Sequence, residues 1–417
     1  MASIQKPRGT LDILPEKVAV WQYIENTVRK TAAKYGFGEI RFPTFENLDL
    51  FQRGVGDTTD VVQKEMYTLE QKGTGEARYA LRPEGTACVV RSIIENGKCS
   101  DAMPLKLYYI ANCFRYEKPQ AGRFREFFQF GVEVFGADSA LADANVIALG
   151  HEVLTTLGVK DVKLHINSIG CPDCRPRYHA ALKEYFAGRR EELCDTCRER
   201  LEKNPLRILD CKSPICSAIA AGAPKTLDYL CEGCRTHMET LKQALDSLGI
   251  AYEIDSSVVR GLDYYTKTVF EFICPITGAA QSTVCGGGRY DGLVKQLGGP
   301  ALSGIGFGMG INRLIDAMEK SGAISHEAEK PLLYVAPMGE AAALKALSIV
   351  TRFRAAGKWA ESDMVGRSLK AQMKYADKLG ARYTLILGDS ELASGKAQLK
   401  NMETGEQTEA ELDTFMI

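Results

Sequence analysis

Phe124-Arg125-Glu126-Phe127-Phe128-Gln129-Phe130-Gly131-Val132-Glu133-Val134-Phe135 is the stretch on which the reading of this chain turns. Aromatic and β-branched residues dominate it, so it reads as a strand. Side chains alternate across a strand, which puts Phe128, Phe130, Val132 and Val134 on one apolar face that belongs in a core. The other face carries Gln129, Gly131 and Glu133, with Gln129 and Glu133 about 13 Å apart at roughly 3.3 Å per residue. A polar row with a glycine clearing space suits the lining of a pocket, and equally a half-solvated sheet face. Residues 107–115 have the same strand character, and 117–122, with Pro119 and Gly122, form the loop between. So short a connection joins antiparallel strands, because parallel ones need a crossover of a dozen residues or more. Arg115 closes the first strand, Arg123 and Arg125 open the second, and Glu117 lies between them, so guanidinium groups and carboxylates gather on one hairpin.

Upstream, an amphipathic run over 16–35 predicts a helix that ends at Gly36 and Gly38, and 39–45 reads as a strand. Downstream of 165–168 the texture changes to cysteines, paired charges and helical periodicity, which marks an inserted module to about residue 251. Strand character returns at 264–274 and 282–285. Glycines then crowd 286–292 and 304–310, and a helix starts near Ile311. A polar linker, 321–330, leads to strand 332–336, helices 341–356 and 367–379, and strand 383–388, the pattern of a small α/β domain with a mostly parallel sheet.

Composition narrows the function classes. The 417 residues are 45% hydrophobic and 25% charged, enough for two or three domains. The 52 basic and 53 acidic side chains leave a net charge of -1, so nucleic-acid contact would rest on local patches. No apolar run reaches the roughly 18 to 20 residues of a membrane span, and residues 1–15 have no signal core, so a cytoplasmic protein is expected. The five histidines form neither a metalloprotease pair nor a nucleophile triad, which disfavours a hydrolase. Chemistry run by arginine electrostatics and positioning fits better.

Two further groups of residues carry such chemistry. In Arg260-Gly261-Leu262-Asp263-Tyr264-Tyr265 an arginine and two tyrosines open a strand beside a glycine. In 285–292 and 304–310 the glycines read either as tight turns or as close backbone approaches to a ligand, with Arg313 in the first turn of a helix, where an anion is favoured.

Taken in order, these segments resemble the signature motifs of the class II aminoacyl-tRNA synthetases: 35–56, 113–136 and 304–314. Arg82-Pro83-Glu84-Gly85-Thr86 is a further family element, while 260–266 and 285–293 resemble the segments specific to histidyl-tRNA synthetases. The resemblance implies an α+β catalytic domain built on a six-stranded antiparallel sheet (1–170 and 256–325), a mainly helical insertion (171–255) and a C-terminal α/β anticodon-binding domain (331–417). It also implies a homodimer formed through 35–56, with ATP and Mg2+, L-histidine and tRNA(His) as partners. By similarity Arg115 and Arg260 meet the α-phosphate as catalytic residues, and Arg123 and Arg313, with Glu117 beside them, hold the β- and γ-phosphates. Glu84, Thr86 and Gln129 take the α-amino group, Glu133 and Tyr265 bind the imidazole, Tyr264 completes the pocket, and Gly85, Arg115 and Arg260 also count among the histidine-binding residues. Phe128 stands where many relatives have histidine, and its place on the apolar face argues for packing. A non-catalytic, histidine-binding regulatory subunit is the rival reading, and the joint presence of Arg115, Glu133, Arg260 and Arg313 weighs against it.

Eight of the thirteen cysteines fall in the insertion. Cys171-x-x-Cys174, Cys194-x-x-Cys197 and Cys231-x-x-Cys234, with Cys211 and Cys216, have spacing that suits tetrahedral thiolate sites for one or two structural Zn2+. Buried free thiols packing as small apolar groups are the alternative. In the last domain Arg367, Lys370, Lys374 and Lys378 fall on one helical face, a stripe that suits RNA phosphates or plain solvation.

Overall fold

The strand expected around Gln129 forms as Glu126–Phe135 and pairs antiparallel with Leu105–Phe114, from Leu105 opposite Phe135 to Phe114 opposite Glu126. This computed structural model describes the chain except for residues 1–2, 57–58, 72, 74, 121, 210, 212, 276–281 and 325–328. Part of the expected linker 321–330 therefore lies outside the described residues. The other edge of Glu126–Phe135 takes Gly304–Gly310, followed by Thr283–Arg289, Thr266–Ile273 and Lys163–Ser168, each antiparallel to the last. These are the six antiparallel strands that the resemblance implies. Two-residue strands, Gly38–Glu39 and Glu253–Ile254, add in parallel at the two edges and bring the sheet to eight.

One expected strand is broken. Residues 39–45 do not run continuously: Gly38–Glu39 joins the large sheet, whereas Phe45–Asn47 pairs with Ala77–Leu81 in a separate three-stranded sheet. Pro43 lies between the two pieces and has no N–H to give a ladder.

The sheet is buried on both sides, so the half-solvated alternative for the polar face fails. On one side Phe130, Val132 and Val134 pack with Phe270, Phe272 and Phe307 under helices Pro15–Lys34, Ala140–Thr156, Glu232–Ser247 and Ile311–Lys320. Each such phenylalanine contributes about 1.5–3 kcal/mol by leaving water. Trp21 of the first helix meets Phe128 edge-on at 5.0 Å, which accounts for an aromatic residue at that position. On the other side Tyr109, Tyr264, Tyr265 and Tyr290 pack with Val89, Val90 and Ile93 of helix Thr86–Glu95.

Gly286, Gly287, Gly288 and the glycines of 304–310 lie inside strands, and the tight-turn reading holds for Gly292 alone among the glycines of these runs. Thr283–Arg289 and Gly304–Gly310 are neighbours, with Gly287 opposite Phe307 and Gly288 opposite Gly306. A Cβ on Gly304 would enter the Tyr290 ring, and one on Gly287 would meet the Gly306 carbonyl. Glycine is needed here for room, not for an unusual φ.

The insertion is helical, as its periodicity indicates, with Arg175–Ala187, Asp195–Lys203 and Pro214–Ala220 around Tyr178, Leu182, Phe186 and Ile208. The chain divides into two compact units, Met1–His326 and Glu327–Ile417. In the second, Ala360–Ser362, Leu333–Pro337 and Tyr383–Leu387 are parallel, and Lys396–Asn401 and Gln407–Glu411 add an antiparallel hairpin, so only part of this sheet is parallel. Its helix Leu369–Leu379 exposes Lys370, Lys374 and Lys378. Arg367 does not belong to that stripe: it precedes the helix, pairs with Asp363 at 2.7 Å and lies over Tyr375. Among the described residues no helix is long and apolar enough to cross a membrane.

One buried ionic group ties the sheet to the helices. Arg289 and Asp143 are both fully buried; Arg289 Nε donates to Asp143 Oδ1 at 3.1 Å, and His237 Nε2 meets Asp143 Oδ2 at 2.7 Å. Burial pushes the Asp143 carboxyl upward, but the hydrogen bond from His237 and the charge of Arg289 outweigh it and hold the pKa below the ordinary value. Removing one partner leaves an uncompensated charge in the core. Asp143→Ala is expected to cost about 3–5 kcal/mol, read as a fall in the urea unfolding midpoint at unchanged m-value.

Candidate active site

The polar row of Glu126–Phe135 faces strand Gly304–Gly310, and there every second residue is glycine. Gly306 lies opposite Glu133 and Gly310 opposite Gln129. A Cβ on Gly306 would overlap the Glu133 carboxylate, and one on Gly308 would overlap the Gln129 amide. The glycines thus leave these two side chains the space above the sheet. Gly131 does the same for Tyr109, whose ring also lies against Gly85.

Glu133 is fully buried and held at both oxygens. Oε1 accepts from the Thr86 hydroxyl at 2.7 Å, and Oε2 accepts from the Tyr290 hydroxyl. Burial pushes its pKa up to about 8; the hydrogen bonds from Tyr290 and Thr86 pull down, and the charge of Glu84 adds to the rise. Glu84, also buried, accepts from the backbone N–H groups of Thr86 at 2.7 Å and Ala87 at 2.8 Å, at the start of helix Thr86–Glu95. Its pKa is raised as well, chiefly by burial and against those hydrogen bonds. Tyr264 and Tyr265, with ring centroids 4.7 Å apart, close this side, and Tyr290 meets Tyr264 edge-on at 5.6 Å.

The guanidinium groups collect beside this pocket. Arg115 Nε donates to the Pro83 carbonyl at 2.9 Å, and its Nη1 lies 3.8 Å from Glu117, which pairs with Arg123 at 2.8 Å. Arg313 donates to the carbonyls of Gly122 at 3.2 Å and Thr283 at 2.9 Å. Burial lowers the Arg313 pKa, and the charges of Arg123, Arg115 and Arg260 lower it further, against Glu117. Arginines far apart in the chain therefore share one electrostatic environment. Arg260 forms an ion pair with Glu271, whose other oxygen accepts from Thr283 Oγ1 at 2.7 Å. A Cβ on Gly286 would fall 2.5 Å from the Arg260 guanidinium, so this glycine too makes room. The Arg260 backbone has φ +61°, a left-handed conformation that costs a non-glycine residue roughly 1–2 kcal/mol.

The structure thus gathers Glu84, Gly85, Thr86, Arg115, Glu117, Arg123, Gln129, Glu133, Arg260, Tyr264, Tyr265 and Arg313 in one region. Sequence reasoning missed Tyr290, Tyr109 and Glu271. Tyr290 stood inside the glycine segment already singled out, and that adjacency was the available signal. The cysteines of the insertion form two separate sets, Cys171, Cys174, Cys231 and Cys234, and Cys194, Cys197, Cys211 and Cys216. The second set takes in Cys211 and Cys216, which have no C-x-x-C partner of their own.

An antiparallel sheet bearing arginines beside a buried carboxylate is what the resemblance to class II aminoacyl-tRNA synthetases implies. The family model described as histidyl-tRNA synthetase matches residues 9–173 and 219–314, and that of an anticodon binding domain matches 333–416. A histidine-tRNA ligase of Acetivibrio thermocellus is 54% identical over 412 residues, 99% of this chain and 98% of its own length, and one of Clostridium perfringens is 50% identical with the same coverage. The crystal structure of apo S. aureus histidyl-tRNA synthetase superposes with a TM-score of 0.82 at 41% identity, covering 99% of this chain and 98% of that one. The chain belongs to the histidyl-tRNA synthetase family.

The raised Glu133 pKa has a consequence in the unliganded protein. Between the ordinary carboxyl value and about 8 the folded state binds a proton that the unfolded state has lost, so stability falls as pH rises through that window. Glu133→Gln, which keeps a hydrogen-bonding amide, is expected to flatten that part of the pH profile, measured as urea midpoints between about pH 5 and pH 9.

Proposed function

We propose that this chain activates L-histidine with ATP and Mg2+ to histidyl-adenylate and transfers the histidyl group to the 3' end of tRNA(His), releasing pyrophosphate and AMP. The observation that carries this reading is the convergence of Arg115, Arg123, Arg260 and Arg313 beside the wholly buried, hydrogen-bonded Glu133.

In the first step a histidine carboxylate oxygen attacks the α-phosphorus, and the bond to the bridging oxygen of pyrophosphate breaks. Negative charge builds on the phosphate oxygens during that passage. Arg115 and Arg260 are the cations for the α-phosphate, both already oriented by Pro83 and Glu271. Arg123 and Arg313, with Glu117 fixing Arg123, take the β- and γ-phosphates, where Mg2+ would supply further positive charge. A donor set in place before the reaction is worth about 3–4 kcal/mol per group, because no reorganisation is needed as the charge develops.

Selection of histidine rests on polar nitrogens that an apolar competitor lacks. Glu133 and Tyr265 meet the ring, with Tyr290 orienting the Glu133 carboxylate. Glu84, Thr86 and Gln129 take the α-amino group over Gly85, and Tyr264 walls the pocket. An apolar amino acid would leave these buried groups unpaired, a mismatch that gives roughly 10⁴-fold rejection. The active form is a homodimer acting in the cytoplasm, and the C-terminal unit binds the anticodon. Relatives of about half identity over their full length are named as ligases, so the regulatory-subunit reading has no support here.

Incubation with each of the twenty amino acids is expected to give pyrophosphate exchange into ATP with histidine alone, and charging of tRNA(His). Arg260→Ala should lower that exchange by about 10²- to 10³-fold with an unchanged circular dichroism spectrum. Robust exchange by that variant would contradict its role.

A further inference from the structure

Close in the chain to each cysteine set stands an arginine that donates to the backbone of the segment carrying Arg260 and the tyrosines. Within each set the four sulfur atoms lie within 4.8 Å of one another. Observed separations of 3.6 Å for Cys171 and Cys174, and 3.9 Å for Cys171 and Cys231 and for Cys194 and Cys211, match the edge of about 3.8 Å of a tetrahedron with 2.3 Å zinc–sulfur bonds. They are too long for disulfides. Backbone N–H groups already point at two of the sulfurs, Cys231 N at Cys174 Sγ (3.1 Å) and Cys194 N at Cys216 Sγ (3.2 Å), a provision for negative thiolate charge that packed thiols do not need.

Helix Arg175–Ala187 starts immediately after Cys174, and Arg175 donates to the carbonyl of Tyr265. Arg207 stands in the turn Pro205–Ile208, inside the chain segment that Cys197 and Cys211 close. Its Nη1 donates to the Arg260 carbonyl at 3.3 Å; its Nη2 donates to the Gly261 carbonyl at 2.7 Å and to Asp263 at 2.9 Å. Arg200, on helix Asp195–Lys203, braces the same turn through the Arg207 carbonyl at 3.1 Å and reaches Asp60 at 2.8 Å. Arg260, which precedes the strand Thr266–Ile273, thus has its left-handed backbone held by groups distant in the chain.

We infer that each cysteine set binds one Zn2+ and that the zinc-bound insertion, through Arg207 and Arg175, positions the 260–265 segment for catalysis. This rests on the role given to Arg260 above. Arg207 and Arg175 are positioning residues: they meet backbone carbonyls of the segment and leave the Arg260 guanidinium to its ligand. A small displacement of that guanidinium weakens its hold on the transition state more than on the bound substrates.

Protein purified without added zinc is expected to carry about two Zn2+ per chain by elemental analysis, each with four sulfurs at about 2.3 Å in X-ray absorption. Cys171→Ser and Cys194→Ser should each reduce the count to about one. A count near zero, iron in place of zinc, or a shell with nitrogen or oxygen would overturn the metal assignment. Should those variants fail to fold, Arg207→Ala provides the second arm. It should keep both zinc ions, speed hydrogen exchange at the amides of 258–265, and lower kcat for pyrophosphate exchange about 100-fold with KM for histidine and ATP within about threefold, and Arg207→Lys should recover part of the loss. Unchanged kcat together with unchanged hydrogen exchange would overturn the positioning role. Metal count and hydrogen exchange do not depend on the reaction, so a wild type that holds zinc yet never exchanges pyrophosphate would sink the proposed function alone.

Discussion

Everything at the site depends on the meeting of two strands, one with long polar side chains and one with none. Glu126–Phe135 offers Gln129 and Glu133, and Gly304–Gly310 answers with glycine at alternate positions. Two ordinary strands would fill the same layer with side chains and leave no place for a polar ligand. The glycine strand weakens itself in local terms, having little to pack and more backbone entropy to lose. Pairing on both edges and burial of Ile305, Phe307 and Met309 on its other face hold it in the sheet.

Burial then sets the chemistry of that layer. A carboxylate half in water would bind almost any hydrogen-bond donor weakly and would change little between one amino acid and another. Glu133, enclosed by Tyr290 and Thr86, is expensive to ionise alone and is therefore sensitive to what approaches it. The arginines of the hairpin and of the segments beside it are half-buried, and each is anchored by a carbonyl or a carboxylate. In the proposed reaction, charge for the phosphates and selectivity for the ring would come from one site by opposite means, one by accumulating fixed cations and the other by isolating a single acid.

Much of this was legible in the residues alone. The alternation in 124–135 placed its two faces correctly, because period-2 patterning survives wherever one face is apolar. The glycine strands were harder, since a run of glycines carries no periodicity, and what identifies them as strands is the bulk of Glu133, Gln129, Tyr290 and Arg260 across from them. Tyr290 escaped for a related reason: its partner lies 157 positions away, and a tyrosine just past the end of a strand needs no special explanation. Cysteine spacing indicated thiolate sites without showing which pairs assemble, because C-x-x-C fixes only half a tetrahedron. Pro43, visible from the start, ought to have divided the strand that was read through it.

The Arg289, Asp143 and His237 group has one more implication. Arg289 closes a central strand, Asp143 sits on a helix packed over the sheet, and His237 comes from helix Glu232–Ser247, which leads the chain back from the insertion. A protein engineer wishing to shorten this enzyme could not excise the module at its ends as if it were a pendant. The cut would take away a ligand of Asp143 and unsettle the central strand ending in Arg289, so a minimal version would need an apolar replacement of the entire trio.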